Sequence, residues 1–267
     1  MNTIGFSAGE FGDVILNSTL CRTFKELYSD SSLTLAFNKK YYNLLPLFQN
    51  HPFIDKFHLW DGYDNWPTEK DLEFLKKENF DIIFNPMPTH KDLYWYRYKH
   101  QIDEIHDMHG FEPPKNKQCY LERWFDLLPG HDKTITASVF ASGSHPDQLA
   151  RTFSVEKIIE LFESIEELGY EIIRLDTRID HTCALENKYP ASKLSLLEAA
   201  RLMCSSKLHL TCDTSFSWIA DSYSHNTLGW TRLESYVPVN PRGHYFVSDN
   251  INDIPLEQII ETIKLKP

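Results

Sequence analysis

The sequence predicts an α/β fold of two facing Rossmann-like domains, each a parallel sheet flanked by helices. Short apolar, β-prone runs alternate with amphipathic helical stretches from the first residues onward, and that order implies right-handed crossovers into parallel sheets. A Pro/Gly/charge cluster, Leu128-Pro129-Gly130-His131-Asp132-Lys133, interrupts the alternation near the midpoint, after which the same pattern restarts. The expected domains are residues 1–130 and 131–267, enclosing a cleft. The chain length of 267 residues suits two domains of ordinary size. One continuous doubly wound sheet is the alternative topology.

In the first half, residues 3–7 form a β-prone run that meets Gly9 and Gly12. Apolar residues then recur near helical period over 13–28, at Val14, Ile15, Leu20, Phe24 and Leu27. Residues 32–37 read as a strand, 41–48 as a short helix, 54–60 as a strand, 69–77 as a helix and 80–84 as a strand. In the second half, 134–141 read as a strand and 155–168 as an amphipathic helix stopped by Gly169. Residues 171–175 and 207–212 follow as strands, with a helix over 194–204 between them. A helix over 216–222, a short strand over 227–230 and a closing helix over 255–263 complete the set; Pro255 suits a helix start.

Composition narrows the function classes. A net charge of −11 argues against broad electrostatic binding to nucleic acid or anionic membranes, leaving only a local basic patch for such contacts. Cys21, Cys119, Cys183, Cys204 and Cys212 are scattered without CxxC or metal-ligand spacing, and read as reduced, mostly buried thiols. No apolar run approaches ~20 residues, so no membrane span is expected. The opening residues lack the basic-then-apolar layout of a signal peptide, which points to a cytoplasmic protein. His106 and His109 stand one helical turn apart without a convincing third ligand, and read as surface or packing residues; no metal site is expected.

Chemistry is expected beyond the carboxyl ends of strands, where open α/β sheets gather their ligands. The first such loop is Ser7-Ala8-Gly9-Glu10-Phe11-Gly12-Asp13. Asp13 stands there either as an N-cap or as a functional carboxylate. The second is Asp213-Thr214-Ser215 at the opening of a helix, where hydroxyls and N–H groups make a diphosphate seat or a plain cap. The third follows residues 134–141 and contains Ser142, with Arg151 shortly before the next helix. An arginine there suits bidentate contact with phosphate, or a surface ion pair. Asp176 ends a strand and suits ribose hydroxyls. Residues 91–100 are rich in aromatics, and Tyr94, Trp95 and Arg97 suit stacking on a sugar or base and holding an anionic acceptor; helix packing is the plainer reading.

Together these segments carry a resemblance. Gly12-Asp13 and the helix after it resemble the N-terminal Gly-Asp motif of the ADP-heptose lipopolysaccharide heptosyltransferases, which are GT-B-type glycosyltransferases. Arg151-x-Phe153 is similar to that family's Lys/Arg-x-Trp element. Ser195-Leu196-Leu197-Glu198-Ala199-Ala200, leading to Asp213-Thr214, resembles its Ser-Leu-x-Glu-x-Ala…Asp-Ser/Thr-Gly-x-x-His signature. Ser215 and Trp218 depart from the glycine and histidine of that signature, and residues 176–180 lack the usual glycines.

The resemblance implies inverting transfer of a sugar from a nucleotide-diphosphate donor to a glycan or glycolipid acceptor, with no essential metal and no cofactor beyond the donor. It makes Asp13 the general base. It also gives Arg151 a contact to donor phosphate. With the strand-end loops and aromatic segment read above, the expected donor set is Gly12, Ser142, Arg151, Asp176, Asp213, Thr214 and Ser215, and the acceptor set Glu10, Tyr94, Trp95 and Arg97. Glycosyl transfer to a modified base in DNA, and sugar-nucleotide binding without catalysis, are the alternatives.

Overall fold

The computed structural model describes residues 1–7, 11–61, 69–84, 101–140, 151–176, 183–212, 214–232 and 243–266. The chain divides into two compact units, Met1–Trp124 and Phe125–Pro267. The residue 128–133 cluster lies inside the second unit, where the Leu128 N–H donates to Ser205 Oγ at 2.7 Å.

The first unit holds a four-stranded sheet of β1 (Asn2–Ser7), β2 (Ser32–Asn38), β3 (Lys56–Trp60) and β4 (Ile82–Phe84), in the order β3-β2-β1-β4. All neighbours are parallel. Apart from its first residue, β2 is buried throughout, as befits a central strand covered on both faces. On one face Ile4, Ala36 and Trp60 pack with Phe74 and Leu75 of α3 (Glu69–Glu78). The helix expected over 13–28 is two helices, α1 (Phe11–Leu16) and α2 (Ser18–Leu27), joined at the buried Asn17. A 3-10 stretch, Lys39–Phe48, replaces the expected short helix, with a kink at Tyr41; Pro46 lacks the N–H that a continuing α-helix would need. Helix α4 (Gln101–Met108), not read from the sequence, packs on α2.

The second unit holds β5 (Thr134–Ser138), β6 (Glu171–Arg174), β7 (Leu208–Cys212), β8 (Thr227–Arg232) and β9 (Gly243–Ser248), in the order β6-β5-β7-β8-β9, again all parallel. Strand alternation sorts its faces. Ile135, Ala137, Leu208, Leu210, Cys212, Leu228 and Trp230 join one apolar core with Ile158, Leu161, Phe162 and Ile165 of α5 (Val155–Glu167) and Ile259 and Ile263 of α9 (Leu256–Leu265). Thr136, Ser138, His209 and Thr211 alternate with those residues, and all four are buried as well. Helices α7 (Leu196–Ser205) and α8 (Ser215–Ser222) pack against β5 and β7 respectively. A short α6 (Cys183–Lys188) precedes α7. Gly169 ends α5 with a φ of 85°, a left-handed turn in which its N–H donates to the Glu166 carbonyl at 2.8 Å.

Candidate active site

Each sheet has one place where the chain reverses its direction of strand addition, and ligands in open α/β folds bind outside the carboxyl ends of the strands there. In the first unit that place is between β1 and β4. The chain leaves β1 at Ser7 and enters α1, whose first turn carries Asp13. The expected N-cap position is corrected: α1 begins at Phe11, so Asp13 lies inside the first turn rather than before it. Val14, Ile15 and Leu16 are buried, which fixes the helix and leaves Gly12 and Asp13 half-buried at its start. The Phe11 ring meets Tyr41 edge-on at 5.6 Å, and Lys40 Nζ lies 4.6 Å from the Tyr41 ring centroid. A carboxylate in the first turn of a helix also sits where the peptide dipoles favour negative charge.

In the second unit the reversal lies between β5 and β7, whose carboxyl ends are Ser138 and Cys212. Thr214 is extended (φ −134°, ψ 171°) and precedes α8, but its side chain makes no capping bond. Its hydroxyl turns instead towards the sheet, 3.1 Å from both Ser138 Oγ and Thr211 Oγ1. The opening N–H groups of α8, starting at Ser215, are of the kind a helix leaves without intrahelical partners. The arrangement presents hydroxyl and N–H dipoles at the strand ends, as anion seats at helix N-termini do.

Arg151 stands half-buried before α5. Two residues on, Phe153 is buried and stacks on Trp230, with ring centroids 4.4 Å apart at 23°. Trp230 pairs in register with Cys212, two residues before Thr214. Asp176 is 5% exposed, and its carboxylate is engaged on both oxygens. Oδ1 accepts from Arg174 Nε at 3.1 Å and Nη2 at 2.6 Å, while Oδ2 accepts from the Val139 N–H at 3.1 Å. Arg174 is buried, and also donates to Glu186 Oε2 at 3.1 Å and the Tyr189 carbonyl at 2.7 Å. Burial raises the Asp176 carboxyl above its ordinary value, the lowering effects of Arg174 and the Val139 N–H notwithstanding. So the consecutive residues Ser138 and Val139 are held from two sides, by Thr214 and by Asp176.

Among the sequence-predicted residues, Glu10, Tyr94, Trp95, Arg97, Ser142 and Asp213 lie outside the described residues. His106 is buried between Thr23 Oγ1 at 2.8 Å and the Ile102 carbonyl at 2.6 Å, a packing position on α4. Sequence reasoning missed Ser138 and His209, whose signal was polar residues at period two inside strands of a buried parallel sheet. It also missed Arg174 and Trp230, which carry no sequence signal of their roles.

No protein-family model matches the chain, and no curated protein sequence matches it. Solved structures do. A glycosyl transferase family 9 protein from Veillonella parvula superposes with a TM-score of 0.77 at 15% identity, over 100% of this chain and 97% of that one. The E. coli heptosyltransferase WaaC, solved with ADP, gives 0.72 at 9% identity over 100% of both chains. E. coli ADP-heptose lipopolysaccharide heptosyltransferase II gives 0.68 at 13% identity, over 99% of this chain and 98% of that one. The chain therefore has the heptosyltransferase-like fold along its length. Among the described residues, no helix is long and apolar enough to cross a membrane.

Proposed function

We propose that the chain is a glycosyltransferase that moves a sugar from a nucleotide-diphosphate donor to a glycan or glycolipid acceptor, with inversion and without a metal. The observation that carries this reading is the β5/β7 strand end, where the Thr214 hydroxyl and the opening of α8 stand beside Ser138. The fold shared with a heptosyltransferase solved with ADP supports it. In this reading the second unit receives the diphosphate, and Arg151 adds a charge-assisted contact. Asp176 holds the strand end through Val139, a supporting part rather than a ribose contact. The first unit receives the acceptor. Asp13 takes the proton of the acceptor hydroxyl as its oxygen attacks the anomeric carbon. The bond from that carbon to the diphosphate breaks, and the N–H and hydroxyl dipoles at α8 stabilise the charge left on the leaving group.

A nucleotide-sugar panel screened by thermal shift identifies the donor, since binding to the folded state raises the melting temperature. Asp13→Asn then tests the chemistry. Asparagine keeps the shape and gives up only the carboxylate's favourable place in the first turn, worth about 0.3–1 kcal/mol. As general base, Asp13→Asn lowers kcat by about 10²–10⁴-fold with donor affinity little changed. Near-normal turnover removes Asp13 from the mechanism. A donor binder without transfer is the second reading, favoured by Trp218, which is buried in α8 at the place of the resembled motif's histidine. Wild-type protein that binds donor yet neither transfers nor hydrolyses it decides for that reading.

A further inference from the structure

Behind Thr214 runs a thread of buried polar groups that the diphosphate seat alone does not call for. Ser206 Oγ lies 3.2 Å from Thr136 Oγ1, which lies 3.1 Å from His209 Nδ1. His209 Nε2 is 3.3 Å from Ser138 Oγ. Ser138, Thr211 and Thr214 then form a triangle of hydroxyls with all three sides at 3.1 Å. Every member but Thr214 is less than a tenth exposed.

Each hydroxyl has one proton to give. Thr211 donates its proton to the Cys212 carbonyl at 2.6 Å, so within the triangle it accepts. Two hydroxyl protons, those of Ser138 and Thr214, then serve three sides. The ring of His209 decides how they are spent. Burial pushes its pKa down to about 3, so the ring is neutral and carries a single N–H. With the proton on Nδ1, Thr136 receives it, and the bare Nε2 draws the Ser138 proton. Thr211 is then served by Thr214, whose proton points inward. With the proton on Nε2, the ring donates to Ser138 and Ser138 donates to Thr211, so no group in the triangle depends on the Thr214 proton and it is available to a ligand. Both tautomers find partners within the thread, so the choice between them is open to a ligand.

We propose that His209 is a positioning residue for the donor seat: in the diphosphate-bound state it carries its proton on Nε2 and, through Ser138, turns the Thr214 hydroxyl into a donor to the ligand. This rests on the donor site assigned to the second unit above.

Calorimetric titration with ADP, UDP and GDP on wild type, Ser138→Ala, Thr214→Val and the double variant tests it, using the tightest of the three nucleotides. Thr214→Val is expected to weaken binding by about tenfold and Ser138→Ala by about threefold to tenfold, as for lost buried hydrogen bonds. The double variant is expected to be no weaker than Thr214→Val, because Ser138 acts through Thr214. Unchanged affinity in Ser138→Ala, or losses that multiply in the double variant, overturns the inference. Imidazole ¹⁵N shifts of His209 in the wild-type complex give an independent readout that does not depend on the variants folding. A protonated Nε2 supports the inference, and a protonated Nδ1 overturns it. Wild type that binds none of the three nucleotides overturns the donor site itself, a result distinct from either.

Discussion

Arg174 has exchanged its water for protein on every side. Its guanidinium spans Asp176, Glu186 and the Tyr189 carbonyl, with the Phe140 ring 5.4 Å from its centre. Such a cluster holds its geometry well but is costly to break, since removal of one partner leaves a buried charge uncompensated. The sequence shows Asp176 as an acidic residue near a strand end, a fair ribose ligand; the partners that engage it are Arg174 two residues earlier and Val139 just past the end of neighbouring β5. A contact between strands is invisible to local reading, which is why the residue type was legible and its surroundings were not. Asp176→Asn separates the two roles. Its amide oxygen still accepts from Arg174, but the charge is gone and its NH2 meets the Val139 N–H donor to donor in a buried place, so the variant is expected to lose about 1–3 kcal/mol in urea unfolding. Lost nucleotide affinity at wild-type stability would instead make Asp176 a ligand contact.

Elements with a strong period and a chemical stop were read closely. Helix α5 begins at Val155 as expected and is stopped by Gly169, whose positive φ suits the only residue type without a Cβ. Helix α7 carries a capping box: the Ser195 N–H donates to Glu198 Oε2 at 2.8 Å and the Glu198 N–H donates to Ser195 Oγ at 3.3 Å. The Ser-Leu-Leu-Glu stretch that supports the family resemblance is thus also a helix-start device. Those hydrogen bonds hold the Glu198 carboxyl below its ordinary range. Ser195→Ala is expected to cost about 1 kcal/mol in urea unfolding with nucleotide affinity unchanged; a loss of affinity at constant stability would give Ser195 a part in binding. Strand β9 was missed because its alternation is shallow, with half-buried residues through most of its length and no deeply buried face. The break between α1 and α2 was missed because Asn17 keeps helical dihedrals (φ −66°, ψ −14°), so the apolar period runs through it.

At the scale of the whole chain, the repeat of strand and helix was enough to foresee two parallel sheets, because each crossover constrains the next. Strand order was not foreseen, and with it the fact that the strand ends preceding Asp13 and Thr214 lie at the two reversal points. Neither were the burials of His51 and His209, since one His looks the same in sequence whether it faces water or a core. They have a collective consequence. Burial pushes His51 down to about 4 and His209 down to about 3, and it also lowers His106. In each case the folded state resists a proton that the unfolded chain accepts near 6.5. The stability that depends on these neutral rings is therefore present above pH 6.5 and is lost as pH falls from there towards the folded values. At one pH unit below 6.5, His51 and His209 each remove about 1 kcal/mol from the unit that holds them, an appreciable share of the 5–15 kcal/mol typical of a domain. His51 belongs to the first unit and His209 to the second, so acid weakens both. Urea unfolding between pH 8 and pH 5 is expected to show a midpoint that is level at the alkaline end and falls steeply below pH 6.5. His209→Gln removes one titrating ring and is expected to flatten that fall, even if it lowers stability at pH 8. A midpoint constant across the range, or a slope unchanged in His209→Gln, would show that these rings titrate alike in the folded and unfolded chain.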